Sequence, residues 1–125
     1  VNHDAFRLSL PPSAEHLGTA RSFAAAVARH FAVTGEAVED LKIAISEACV
    51  DALVAGEPIL LDAEDEGRTI TFSVDAPEGG DGAERAALDE IGAPARIELI
   101  RSLFPDATVS LDEGRRRIRF SLAYG

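Results

Sequence analysis

The chain has little cysteine, no long apolar run and a shortage of positive charge, and each absence excludes something. One cysteine, Cys49, among 125 residues rules out an internal disulfide and fits a reducing cytoplasm. A lone thiol of this kind reads as a small buried hydrophobe; a reactive thiol is the other reading. No stretch approaches the roughly 20 apolar residues that a membrane span needs, and no secretory signal pattern opens the chain. The opening Val-Asn-His reads as the start of a trimmed domain. Only 12 Lys and Arg stand against 22 Asp and Glu, a net charge of −10. That balance argues against direct nucleic-acid binding, which draws on phosphate neutralisation by Lys and Arg. His3, His16 and His30 show no ligand spacing with Cys49 or one another, so no zinc site is read.

What is there is a single domain's worth of alternating signals, residues 1–125, long enough to bury a core. Phe6, Leu8 and Leu10 alternate with Arg7 and Ser9, the period of a half-buried strand, and Pro11-Pro12 stops it. Ser13 can cap a helix whose Leu17, Ala20, Ala24, Val27 and Phe31 recur at three and four residues. Thr34-Gly35 ends that helix. A second runs from Glu36 with Val38, Leu41, Ile45, Ala48 and Ala52 as its stripe, and Gly56 terminates it. The run 58–61, an acidic turn from Asp62 to Gly67, and the strand 69–75 read as a hairpin. Residues 76–92 are rich in Gly, acid and Ala and read as a long mobile loop, functional or disordered, with one short helix near 83–90. A third helix starts at Pro94, carries Ile97, Ile100 and Phe104, and stops at Pro105. Strands over 107–111 and 117–123 close a C-terminal hairpin. Antiparallel pairs with helices gathered on one face give a two-layer α/β sandwich of the α+β class.

Two charge features stand out against this frame. Arg115, Arg116, Arg117 and Arg119 run counter to the acidic balance; they read either as a solvated face balancing carboxylates or as a docking patch for an acidic partner. The second feature is ISEACVDAL, residues 45–53, which carries Glu47 and Asp51 among aliphatic residues. At about 100° per residue, both acids fall about 120–160° from Ile45, on the side flanked by Ile43, Val50 and Val54. They read either as rim acids touching solvent or Arg, or as the lining of a pocket. Two carboxylates one turn apart repel unless a cation sits between them, and Mg²⁺ accepts one or two carboxylates together with phosphate oxygens.

Three segments, LSLPPSAEHLGTARSFAAAV, EDLKIAISEACVDAL and IELIRSLFPDATVSLDEGRRRIRFSLA, give the chain a resemblance to the small serine-kinase anti-sigma factors. Those belong to the superfamily of gyrase-, Hsp90- and histidine-kinase-type ATPases. The resemblance implies the Bergerat, histidine-kinase-like fold, with ATP over a mixed, mainly antiparallel sheet beneath a flexible lid. It implies a catalytic role for Glu47, activating the attacking hydroxyl, and a metal-binding role for Asp51 toward Mg²⁺. Asp75 would accept a hydrogen bond from the adenine amino group, and Gly79 is the retained glycine of Asp-x-Gly-x-Gly.

Three departures from the family pattern point one way. Asp51 stands where the family has Asn, adding negative charge beside Glu47 against a triphosphate. Pro77 takes the first glycine of DAPEG, with a fixed φ and no N–H. PARI (94–97) falls where Gly-x-Gly-Leu would present amides to phosphate at a helix N-terminus; Pro94 removes a donor, while Arg96 could pair with phosphate or with Asp51. The resemblance therefore implies a cytoplasmic regulator that binds a sigma factor and/or an anti-anti-sigma antagonist, as a homodimer, with a degenerate ATP site. The alternative is an active ATP-dependent serine/threonine kinase in which Glu47 is general base and the antagonist is phosphorylated.

Overall fold

A computed structural model describes residues 4–54, 56–77, 92–112 and 115–124. Strand β1 (Ala5–Leu10) is followed by a single 3₁₀ turn (Ala14–His16) and helix α1 (Leu17–His30). Helix α2 (Glu36–Val54), strands β2 (Ile59–Asp65) and β3 (Thr69–Pro77), helix α3 (Gly92–Leu103), and strands β4 (Thr108–Asp112) and β5 (Arg115–Ala123) complete the order. Ser13 precedes the 3₁₀ turn without donating or accepting a side-chain cap bond. Ala32 follows α1 in the left-handed region (φ 63°), and the Val33 amide returns to the Ala28 carbonyl, closing the helix end.

The five strands form one sheet in the order β1-β2-β3-β5-β4. The resemblance implies a mixed sheet; every ladder among the described residues is antiparallel. The connections explain this. Leu10, at the end of β1, pairs with Ile59, at the start of β2, so α1 and α2 leave and return at the same end of the sheet. The hairpins β2–β3 and β4–β5 are antiparallel by construction.

The acidic turn expected at Asp62–Gly67 is also shorter than its composition predicts. Asp62 to Asp65 continue β2, with Asp62 opposite Ser73 and Glu64 opposite Thr71, and only Glu66 to Arg68 turn the chain. Acids are disfavoured in strands by propensity, but these alternate onto a polar face while Leu61 and Ala63 are buried on the other.

All three helices cover one face. Ile59, Leu61, Ile70, Phe72, Val74, Ile118 and Phe120 meet Leu41, Ile45, Ala48, Cys49, Ala52 and Ile100 in a single buried cluster. Phe72 stacks on Phe120 at 5.9 Å and Phe104 lies 4.8 Å from the same ring; such contacts add about 0.5–1.5 kcal/mol each beyond the area they bury. α2 lies between α1 and α3 and packs on both. Small residues on α1 (Ala20, Ala24, Ala28) permit that close approach. Among the described residues, no helix is long and apolar enough to cross a membrane.

Candidate functional site

The sheet-facing stripe of α2 is filled. Val38, Leu41, Ala44, Ile45, Ala48, Cys49 and Ala52 are all buried, and burial pushes the Cys49 thiol up to about 12 against a smaller opposing pull from Arg21. This is a protonated, inaccessible thiol, which removes the reactive reading of Cys49. Glu47 falls on the other side of the helix, half-buried. It lines a groove of about 350 Å³ with Arg21 of α1 and with Glu39, Lys42, Ile43 and Ser46 of its own helix.

That groove has a definite polar order. The Arg21 Nη1 donates to Ser46 Oγ at 3.0 Å, tying α1 to α2, and Lys42 Nζ lies 3.3 Å from Glu39 Oε1. The Glu47 carboxylate makes no hydrogen bond or ion pair with any described residue. Ile43, a turn before it, is 44% exposed. Of the apolar residues that flank the acids in the sequence, Ile43 thus borders an open groove on the outer side of the helical layer. Asp51 lies on the same helix one turn on; its side chain and Gly79 fall outside the described residues.

Asp75 is elsewhere. On β3, Ile70, Phe72 and Val74 alternate toward the helices, so Thr71, Ser73 and Asp75 alternate away from them. Asp75 is opposite Leu60 on β2 and Arg117 on β5. The Arg117 guanidinium grips it bidentately, Nε to Oδ1 at 2.6 Å and Nη2 to Oδ2 at 2.9 Å, and Arg115 Nε stands 3.8 Å from Oδ2. On this face away from the helices Asp75 is only 6% exposed, and both guanidinium groups reach it there. A shallow groove of about 450 Å³ passes beside it, bordered by Arg7, Ser9, Leu60 and Asp62.

The structure therefore does not bring Glu47 and Asp75 together. One lines the outer helical groove, and the other lies on the far face of the sheet. Arg96 is half-buried in the first turns of α3, and Pro94 is exposed ahead of it. Among the described residues, no group of three or more His, Cys, Asp or Glu is placed to hold a metal ion. The carboxylate that the resemblance assigns to adenine, Asp75, has both oxygens engaged by Arg117 on the face of the sheet away from the helices.

Two pairings escape sequence reading. Arg117 is 42 residues from Asp75 and meets it only through the β3–β5 pairing. Arg21 and Ser46 become neighbours only when α1 packs on α2. For Asp75 a signal existed, since the alternation of Ile70, Phe72 and Val74 already assigns it to the opposite face.

A protein-family model described as a histidine kinase-like ATPase domain aligns with residues 10–121. No curated protein matches the chain.

Proposed function

The chain belongs to the histidine kinase-like ATPase family, and on that premise we propose that it is a regulatory protein-binding module with a degenerate ATP site. Its partners in this reading are a sigma factor and/or an anti-anti-sigma antagonist, in the cytoplasm, with the chain itself a homodimer. The observation that carries the reading is the α1–α2 groove. Glu47, the family's catalytic acid by resemblance, borders a shallow, open surface with a half-exposed Ile43 and an ordered Arg21–Ser46 contact. Such a mixture of an apolar anchor, a free carboxylate and fixed cations suits a protein surface, where charge complementarity sets partner choice. A small nucleotide is better held by an enclosed, mostly apolar cleft.

Calorimetric titration with an ATP analogue and Mg²⁺ tests the nucleotide half of the proposal, on the parent, Glu47→Ala and Asp51→Asn. Absent or millimolar binding by the parent is expected, and recovery in Asp51→Asn would mean that added charge disables a real pocket. Micromolar binding with phosphate transfer to a partner serine would replace this reading with the kinase. Capture from the native cell tests the partner half: enrichment of a sigma factor or small antagonist, lost in Ile43→Glu and Glu47→Lys, is the expected result. Capture of neither sinks it.

A further inference from the structure

The acid of β3 is one residue out of step with the helical layer. Side chains of a strand alternate with a period of two, and Ile70, Phe72 and Val74 take the face toward the helices, so Asp75 takes the opposite one. We infer that the missing nucleotide anchor is a matter of strand register: Asp75 is a structural carboxylate that clamps β3 to β5 through Arg117 and Arg115, and partner binding proceeds without nucleotide.

Three observations bear on this. Both carboxylate oxygens are used, one by each arm of the Arg117 fork, and Arg115 approaches the same carboxylate at 3.8 Å. A ligand amine would have to displace a bidentate guanidinium, the strongest pairing geometry available to a carboxylate. Nor can the strand slip by one residue to present the acid. Pairing fixes Val74 against Leu61 and Ile118, and Phe72 against Ala63 and Phe120. A slip would carry Ile70, Phe72 and Val74 to the water side together. Finally, the cluster sits where β3 is flanked on both sides, in the middle of the five-stranded sheet, so its loss loosens the centre rather than an edge.

The nucleotide-independence clause rests on the proposed function; the structural role of Asp75 does not. The test combines thermal denaturation with titration of a Mg²⁺–ATP analogue on the parent, Asp75→Asn and Arg117→Lys. Arg117→Lys keeps the charge but loses the fork, which guards against a variant that cannot fold. A fall in Tm of roughly 5 °C or more in Asp75→Asn and a smaller fall in Arg117→Lys are expected. The titration should be as flat in both variants as in the parent, and partner capture should be the same with and without added nucleotide. If the parent binds the analogue and Asp75→Asn weakens it tenfold or more, the inference is overturned. Unchanged Tm in both variants overturns the clamp, and capture that appears only with nucleotide overturns the independence. Failure to capture any partner counts against the proposed function alone.

Discussion

Asp75 and Glu47 are carboxylates on opposite sides of the same molecule, and their surroundings differ in kind. Asp75 is buried on the outer face of the sheet with two arginines converging on it. Glu47 is half-buried in a groove between helices, near Arg21 and Lys42 but bonded to neither. A buried carboxylate must be paired, because the cost of leaving it charged and bare exceeds anything packing can offset. A half-exposed one is solvated already, so its free lone pairs remain available to something that arrives later. The difference teaches that the acid the resemblance assigns to adenine is the one the fold has committed to arginine, while the uncommitted acid lines an open groove.

Breaking the buried side of this comparison should have the largest effect. Arg117→Ala leaves Asp75 buried with only the more distant Arg115, and should cost about 2–4 kcal/mol in chemical denaturation. A loss below about 0.5 kcal/mol would place Asp75 in the same class as Glu47 and erase the contrast.

Alkaline pH probes the two sides of α2 itself, since Cys49 faces the sheet two residues from Glu47. The folded thiol is raised by burial to about 12 from 9.0. A thiol raised on folding contributes stability that is whole below its unfolded value and is lost as pH rises toward the folded one. Stability should therefore fall above pH 9 by about 1 kcal/mol per unit, and Cys49→Ala should flatten that slope. Tyr124, whose phenol its hydrogen bond to Asp65 helps push up to about 12, adds loss of the same sign above its usual range. Rapid alkylation of native Cys49 at pH 8 would contradict the burial on which the slope depends.

The smallest stability effect belongs to the open groove. Glu47→Ala should change denaturation by no more than about 0.5 kcal/mol, as a solvated carboxylate without a bonded partner contributes little. The same variant should nonetheless weaken captured-partner binding, which sharpens the contrast between an acid that holds the fold and one that serves recognition. A large loss of stability would mean that the groove closes over Glu47 in solution.

Much of the fold was legible. Period two in Phe6–Leu10 and Ile70–Val74, period three to four through α1 and α2, and the proline stops at Pro11 and Pro105 each correspond to an observed element. The acids of β2 misled because composition marks Asp and Glu as turn formers, whereas Asp62 and Glu64 pair across to Ser73 and Thr71 on a polar face. For the site, the residue pattern marks α2 and Glu47 as candidates, and it marks the arginines near the end of the chain as balancing carboxylates or as a docking patch without naming Asp75 as the partner of Arg117. Arg117 alternates onto the face of Asp75, but which strand lies beside β3 depends on β5 inserting between β3 and β4, and no local signal carries that.

By itself the sequence determined which residues turn inward along each strand and helix, because that depends only on backbone period and side-chain polarity. It determined the family too, through motifs spread along residues 10–121. Which charges meet was decided by the tertiary structure alone. Asp75 and Arg117 become partners, and Glu47 acquires Arg21 as a neighbour, only when strands and helices distant in the chain are laid side by side. Electrostatic pairing depends on separations of a few ångströms in space, and the order of residues along a chain does not encode those distances.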